Sequence, residues 1–268
     1  MSHLLYEKKD GIARMTFNRP EKRNALSPRL MVELAEAWLD FKQDSEARVA
    51  ILTGTGDISF SAGADLGLFI PLMSGARQPE DDFDRKLIGD RSLVGTALLR
   101  DFELYKPVIA AVNGFALAGG MEILQATDIR IAAPHATFGL SETKRGIIPA
   151  GGSLVRLARQ IPHCKAMEVL LTGEPMSADE AHRIGLINEI VPSDKLLERA
   201  EEIAVMISKN GPLAVQACKE AVLRTSGVAM DEAFAIESQC AGRVMRTKDA
   251  IEGPRAFMEK REARFTGE

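Results

Sequence analysis

The stretch AVNGFALAGGMEIL, from Ala111 to Leu124, decides the fold and raises the functional question. An apolar run ends in the pair Gly119-Gly120, and Glu122 follows inside a segment of helical character. Glycines where a strand enters a helix leave backbone N–H groups free at an electropositive helix end. The stretch therefore predicts an oxyanion hole with a carboxylate one turn away. The alternative interpretation is an ordinary strand-to-helix turn, in which the glutamate simply suits the helix dipole.

A second turn of small residues lies upstream, in SFSAGAD from Ser59 to Asp65. Its backbone can also approach a ligand closely, and Ala64 offers a second N–H group. Two donors from separate turns would grip one carbonyl oxygen. Asp65 itself is predicted to cap the following helix or to lie in its first turn, which is a structural role.

The third segment is FGLSETKRGIIPAGG, which places Glu142 among turn residues. Its apolar flanks predict partial burial, which raises the pKa of a carboxyl group and suits it to proton transfer near neutral pH. The alternative is a surface glutamate paired with Lys144 or Arg145.

The bulk composition is that of an ordinary globular chain of 268 residues, with 46% apolar and 27% charged residues. A net charge of −4 and the lack of a basic run argue against nucleic acid as a partner. The three cysteines have no C-x-x-C spacing and favour a reducing compartment, so we expect a cytoplasmic protein. We expect no signal peptide and no membrane span, because no apolar run is long enough. The four histidines lack metal-ligand spacing, so no metal is predicted.

Strand and helix patterns alternate in the first part of the chain, and only helical patterns follow. Predicted strands cover 12–17, 49–52, 108–113, 128–132, 137–139 and 187–191. Predicted C-terminal helices cover 196–209, 212–225, 230–245 and 250–261. Ser27 before Pro28 predicts the start of an earlier helix. We therefore expect an α/β core over residues 1–192 and a helical region over 193–268.

A series of motifs resembles the enoyl-CoA hydratase/isomerase family, the crotonases, over nearly the whole chain. In order they are MTFNRPEKRNALS, SAGAD, KPVIAAVNGFALAGGMEI, TDIRIAA, FGLSETKRGIIPAGG, AMEVLLTGEPMSADEAHRIGLINEIV and AFMEKR. The resemblance implies a crotonase-like core of repeated strand–strand–helix units with an all-helical C-terminal extension. It also implies an enoyl-CoA hydratase, which adds water reversibly to a 2-enoyl-CoA thioester and gives a 3-hydroxyacyl-CoA.

The resemblance also implies catalytic roles. The N–H groups of Ala64 and Gly119 would form the oxyanion hole for the thioester oxygen. Glu122 and Glu142 would act on a water molecule and on the substrate α-carbon. We favour Glu122 for deprotonating the water and Glu142 for delivering the proton to C2, with the reverse assignment left open. No metal is implied, and coenzyme A enters only as part of the substrate.

Contacts with coenzyme A are implied at two places in the chain. One place comprises Arg23, Ala25, Ala62, Asp65 and Leu66. The other lies in the AFMEK segment, where Phe257 and Lys260 would contribute, often across a subunit boundary. The alternatives are helix packing for Phe257 and a solvated surface position for Lys260. The resemblance further implies a homotrimer or a dimer of trimers, with the C-terminal helices at the interfaces.

Several positions depart from the family pattern and leave the substrate open. Leu140 and Ser141 change the polarity and stiffness near Glu142, and we expect Ala118 and Met121 to narrow the acyl pocket. The segment between Asp65 and Lys106 is longer than usual. Alternative functions are an enoyl-CoA isomerase or a carnitinyl-CoA-dehydratase-like activity. A non-catalytic or RNA-binding scaffold is a further alternative, against which the acidic charge balance and the intact pair of glutamates argue.

Overall fold

The computed structural model describes residues 2–268, which fold around two β-sheets. The larger sheet has the order β1 (Leu4–Lys9), β2 (Ile12–Phe17), β3 (Val49–Gly54), β5 (Val108–Val112), β7 (Ile129–Ala132) and β10 (Glu189–Ile190). It is parallel except for the pair β1 and β2. The smaller sheet has the order β4 (Ser59–Ser61), β6 (Phe115–Leu117), β8 (Thr137–Gly139) and β9 (Met176–Ser177), with only β9 antiparallel.

From β3 to β8, consecutive strands alternate between the two sheets, which confirms the expected strand–strand–helix repeat. The chain passes from β3 to β4, from β5 to β6 and from β7 to β8, and a helical segment follows each pair. Three equivalent turns therefore lie at the same edge of the smaller sheet, where β4, β6 and β8 are parallel neighbours. This repeat is what brings residues distant in sequence to one place.

The helices agree closely with the predicted patterns. They are α1 (Pro28–Gln43), α2 (Phe69–Ser74), α3 (Asp82–Gly89), α4 (Ser92–Ala97), α5 (Gly119–Leu124), α6 (Ser153–Gln160), α7 (His163–Thr172), α8 (Ala178–Arg183), α9 (Leu196–Ser208), α10 (Pro212–Thr225), α11 (Met230–Val244) and α12 (Lys248–Met258). Ser27 Oγ accepts a hydrogen bond from Leu30 N at 3.1 Å, with Pro28 in the first turn, as predicted. Within residues 2–268 no helix has the length and apolar character that a membrane span requires.

The strand predictions need two corrections. The apolar run does not lead straight into the glycine pair, because β5 ends at Val112 and β6 begins a new strand in the other sheet. The Asn113 amide holds this crossing by donating to Gly54 O at 2.9 Å and Gly56 O at 2.7 Å. The strand expected over 187–191 is only two residues long, and β1, β4, β6 and β9 were not predicted. Strands of two or three residues, such as β4, β6 and β9, carry too few side chains for a period of two to be recognised, and β1 has six residues but its sequence LLYEKK does not alternate.

Both faces of the larger sheet are covered, as expected for apolar parallel strands. One face packs against α1 and its neighbours, and the other packs against α9. The second contact is made by Leu196, Ala200, Ile203 and Ala204 against Ile51, Ile109 and Ile131. A separate small cluster joins α10 to α11. The division between residues 192 and 193 stays a prediction, and α9 packs on the sheet across it.

The residue before the glycine pair has an unfavourable backbone conformation. Ala118 has φ +49° and ψ −125°, which an L-residue adopts only at a cost. We expect Ala118→Gly to raise the free energy of unfolding by about 1 kcal/mol, because the relief of strain outweighs the added chain entropy. Thermal unfolding would then shift upward by about 2–4 °C. Ala116→Gly, at a buried position in β6 with ordinary backbone, is the control and should lower the midpoint. A lower midpoint for Ala118→Gly would contradict the argument.

Candidate active site

One cavity of about 750 Å³ collects most of the residues that the sequence indicated. Its walls come from the turns before α2 and α5, from the segment of α2 to α4, and from the loop before α6. The predicted residues that line it are Arg23, Ala62, Ala64, Leu66, Gly119, Glu122 and Glu142. The fold thus brings to one cavity residues that are up to 119 positions apart in the sequence, from Arg23 to Glu142. Among them are the two small-residue turns and the two carboxyl groups.

The turns that carry Ala64 and Gly119 are in direct contact. Gly63 has φ +89°, and a methyl group there would lie 2.9 Å from Gly119 N. A methyl group on Gly119 would lie 3.5 Å from Ala64 N. Among residues 2–268, neither Ala64 N nor Gly119 N has a hydrogen-bond acceptor, whereas Gly63 N donates to Ser61 Oγ at 3.2 Å. Two unused backbone donors therefore lie side by side on the cavity wall, as an oxyanion hole requires.

Glu122 is buried in α5 and points at the N-terminus of α6. Its Oε1 accepts a hydrogen bond from Ser153 N at 3.4 Å. Burial raises the pKa of the Glu122 carboxyl, while the N–H groups of Ser153 and Gly151 and the charges of Arg156 and Arg100 act in the opposite direction. The carboxylate form thus keeps hydrogen-bonding partners inside the protein.

Glu142 is buried next to a short 3-10 turn (Thr143–Arg145), which excludes the alternative of a paired surface glutamate. Lys144 Nζ pairs with Glu174 at 2.6 Å, and Arg145 Nη1 donates to Ser141 Oγ at 2.8 Å. Within the described part of the chain, Glu142 Oε2 has no hydrogen-bond partner. Burial, reinforced by the nearby Glu122 charge, raises the pKa of Glu142 to about 7.

The predicted contacts with coenzyme A in the first region divide into two groups. Arg23 and Leu66 are exposed where they line the cavity, and Ala62 lines it with its backbone held by Arg23 O at 3.0 Å. Ala25 and Asp65 do not line the cavity. These two residues support the turn from behind, so a direct contact with the ligand stays a prediction for them.

Arg19 is the residue that the sequence analysis missed in this region. Its buried Nη1 donates to Ala25 O at 2.6 Å and to Asp65 Oδ2 at 2.9 Å. The other Asp65 oxygen accepts from Gly67 N and Leu68 N, both at 3.0 Å, so Asp65 caps the turn before α2, whereas the N-cap of that helix is Leu68 and not Asp65 as predicted. Nothing in the local pattern around Arg19 distinguishes it from a surface arginine, because its partner lies 46 residues away.

Phe257 and Lys260 lie on or just after α12 and are exposed, and neither lines the cavity of its own chain. The Phe257 side chain is 83% exposed, so it does not pack against this chain as the alternative required. A contact of either residue with coenzyme A would have to reach a neighbouring subunit.

The inner part of the cavity is formed by the long segment between Asp65 and Lys106. Its apolar side chains there are Phe69, Ile70, Met73, Val94 and Leu98, with Arg91, Arg100 and Asp101 nearby. Ala118 also lines the cavity, as expected. The expectation for Met121 was wrong, because Met121 is fully buried in the core and does not reach the cavity.

Gly151 keeps the space in which the Glu122 carboxylate lies. A methyl group on Gly151 would lie 2.6 Å from Glu122 Oε2 and 2.7 Å from Leu98 Cδ1. We expect Gly151→Ala to lower kcat by about a hundredfold, because a displacement of about 1 Å at a catalytic group has that effect. Steady-state kinetics on the best substrate measures it. Gly89→Ala, which meets no atom within 4 Å, is the matched control and should keep wild-type rates. An unchanged kcat for Gly151→Ala would contradict a catalytic role for Glu122.

The comparison with family models decides the assignment. The enoyl-CoA hydratase/isomerase model matches residues 7–268 of this chain. The chain belongs to the enoyl-CoA hydratase/isomerase family. It is 45% identical over 261 residues to the enoyl-CoA hydratase EchA19 of Mycobacterium tuberculosis, with 97% of this chain and 95% of the relative covered. It is 39% identical over 272 residues to the carnitinyl-CoA dehydratase of Citrobacter koseri, with both chains covered completely.

Solved structures agree with this assignment. An enoyl-CoA hydratase from Bacillus anthracis, whose crystal structure is known, is 37% identical in sequence and has a TM-score of 0.88. The match covers 99% of this chain and 100% of that one. The enoyl-CoA hydratase EchA1 of Mycobacterium marinum has the same TM-score at 36% identity, with both chains covered completely. This crotonase is therefore an enzyme of a family that includes hydratases and dehydratases of acyl-CoA thioesters.

Proposed function

We propose that this crotonase is a 2-enoyl-CoA hydratase that forms a 3-hydroxyacyl-CoA. The observation that carries the proposal is the presence of two buried carboxyl groups, Glu122 and Glu142, in one cavity with two unused N–H donors. Hydration needs both an acid and a base, because a proton leaves water and another arrives at carbon. A simple isomerase moves one proton between two carbons and needs only one carboxylate, so the pair favours hydration.

The reaction follows from the order in which the groups are placed. The thioester oxygen accepts hydrogen bonds from Ala64 N and Gly119 N, which stabilise the enolate that forms when the water oxygen bonds to C3. The water proton passes to one glutamate, and the other glutamate delivers its proton to C2 as the carbon–carbon double bond becomes single. The donated and accepted protons balance, and exchange with solvent after product release restores both carboxyl groups. We propose no metal or further cofactor, because these four groups account for every proton and charge.

The environments of the two glutamates support their distinct roles. Glu122 has N–H donors and two arginine charges that favour its ionised form, so it is the base that takes the water proton. Glu142 has a pKa of about 7 and an oxygen without a partner, so it holds the proton that C2 receives. Carboxyl groups in unlike environments can divide acid and base work in this way. The pH dependence belongs to the pair, since each charge affects the other.

The acyl group that fits the inner cavity is apolar and larger than that of crotonyl-CoA. Five apolar side chains of the segment between Asp65 and Lys106 form the wall, as described above. Arg91 and Arg100 outnumber Asp101 beside them, which disfavours the quaternary ammonium of a carnitinyl group. The enoyl substrate is therefore preferred over the carnitinyl substrate of the dehydratase relatives.

We also propose a cytoplasmic homotrimer or dimer of trimers. Support comes from large apolar side chains exposed on α10 to α12, namely Val222, Leu223, Met230, Phe234, Ile251, Phe257 and Met258. Such a surface is characteristic of an interface. In this assembly Phe257 and Lys260 would reach the coenzyme A of a neighbour. Light scattering after size exclusion tests the proposal, and a 29.2 kDa species would contradict it.

A substrate panel tests the proposed reaction. Short, medium, long, branched and ring-bearing 2-enoyl-CoA esters are each followed by loss of enoyl absorbance, with carnitinyl-CoA and a 3-enoyl-CoA assayed in parallel. The proposal expects hydration of at least one apolar ester, with a higher kcat/KM than for crotonyl-CoA. Dehydration of carnitinyl-CoA or isomerisation of the 3-enoyl ester without any hydration would replace the proposed reaction.

A further inference from the structure

Arg156 is a half-buried arginine of α6 that lies outside the family motifs quoted above and does not line the cavity. Its Nη2 donates a hydrogen bond to Leu99 O. Its Nη1 is buried and has no hydrogen-bond partner anywhere in residues 2–268. Within the same residues, no carboxylate forms an ion pair with it. A buried arginine nitrogen without a partner is costly, and such a cost in a native structure calls for a compensating role.

The Leu99 carbonyl belongs to a turn that closes the acyl side of the cavity. Leu99 is buried and has φ +49°, a conformation that is unfavourable for a bulky residue and persists only where surrounding contacts hold it. Leu98, its neighbour, lines the cavity, and its Cδ1 lies 2.7 Å from the point where Gly151 would carry a methyl group. Glu122 Oε2 lies 2.6 Å from that same point. Leu98, next to the strained residue, and the Glu122 carboxylate therefore both border the space beside Gly151.

Arg156 lies between the Leu98–Leu99 turn and the Gly151-Gly152 segment that faces Glu122. A methyl group on Gly152 would lie 2.6 Å from Arg156 Nη1, directly after the glycine that faces Glu122. The charged groups that act on Glu122 come from several elements: Arg156 from α6, Arg100 from the turn after α4, and Glu142 from the loop after β8. Of the two arginine charges that lower the pKa of Glu122, that of Arg156 has the larger effect, and the charges of Asp101 and Arg100 in turn act on Arg156.

We propose that Arg156 is a positioning residue for Glu122. Its hydrogen bond to the Leu99 carbonyl holds the Leu98–Leu99 turn of the acyl pocket against α6. Its guanidinium group also keeps a positive charge near the Glu122 carboxylate. The charge part of this inference rests on the proposed function, because it concerns Glu122 as the base of hydration. The part that concerns the hydrogen bond to the Leu99 carbonyl depends on the fold alone. Occupancy of the acyl pocket and the position of the base are thereby linked through one side chain.

Three variants test the proposal: Arg156→Met, Arg156→Lys and the control Arg159→Met. Arg159 is exposed on the same helix, so its variant removes the same charge from a different face. For Arg156→Met we expect kcat to fall by about tenfold, with KM changing less, since the base is misplaced more than the substrate. The acid limb of the kcat/KM profile should move up by about one pH unit, because loss of a nearby positive charge raises the pKa of Glu122. Lysine should keep the acid limb near its wild-type position.

Hydrogen exchange measured by mass spectrometry provides a readout that needs no turnover. Both Arg156 variants should increase exchange in the peptide that spans residues 98–101, because neither methionine nor the single ammonium group of lysine reproduces the Nη2 donor that bonds to the Leu99 carbonyl. Arg159→Met should match the wild type in rate, pH profile and exchange. Wild-type exchange and an unmoved acid limb in Arg156→Met would overturn the proposal. If that variant does not fold, wild-type exchange in Arg156→Lys shows that Arg156 does not hold the Leu98–Leu99 turn. If the wild type hydrates no ester, the proposed function fails, and exchange alone still decides whether Arg156 holds the turn.

Discussion

Replacing either Glu122 or Glu142 by glutamine is expected to lower kcat for hydration by about a thousandfold. Glutamine keeps the shape of the side chain but can neither take the water proton nor deliver one to C2. Both side chains line the cavity and are buried, so solvent water cannot substitute for them efficiently. Single-turnover and steady-state rates on the best ester of the panel measure the effect. The double variant should lose little more than either single variant, since the two groups act as a unit.

The control for these two substitutions is Glu174→Gln. Glu174 is an exposed glutamate that, among residues 2–268, pairs with Lys144 alone, so its variant should keep wild-type rates. Calorimetric binding of a saturated acyl-CoA should be retained by all three variants, which separates lost chemistry from lost folding. Retention of more than about a tenth of wild-type kcat by either active-site variant would rule out the two-glutamate mechanism.

Gly119→Ala is expected to lower kcat/KM by about a hundredfold to a thousandfold, the effect of losing one oxyanion-hole donor. The new methyl group would lie 3.5 Å from Ala64 N and 3.0 Å from Leu26 Cδ1. It would therefore occupy the space that the thioester oxygen needs in order to reach both N–H groups. The rate on the best ester, measured together with the thermal midpoint, separates this effect from a loss of folding.

Gly242→Ala is the matched control for this change. Gly242 lies within α11, has no unusual backbone angle, and would meet no atom within 4 Å. The substitution should leave kcat/KM unchanged and should stabilise the helix slightly. A Gly119→Ala variant with wild-type kcat/KM would show that Ala64 and Gly119 do not bind the thioester oxygen.

The candidate site could be predicted in part because its members sit in locally distinctive patterns. Gly119, Glu122 and Glu142 stand in segments where glycines or turn residues flank a carboxylate, which is unusual enough to be noticed. Arg19 and Arg156 could not be recognised in that way. Their partners, Asp65 and the Leu99 carbonyl, lie 46 and 57 residues away in the chain. Nothing within one turn of either arginine distinguishes it from a solvated surface residue.

The roles of the four proposed catalytic groups came from the resemblance to the family, whereas the α/β class, the C-terminal helices and the Ser27 cap followed from the sequence pattern itself. These depend on short-range physics, namely apolar periodicity, capping hydrogen bonds and backbone freedom at glycine. Only the tertiary structure decided that the strands divide between two sheets, that Met121 faces the core, and that Asp65 supports a turn. Only the fold decided that Glu142 Oε2 is buried with no hydrogen-bond partner in residues 2–268 and that Glu122 Oε1 has one. Burial and charge are set by neighbours distant in sequence, and those neighbours meet only when the sheets and helices pack together.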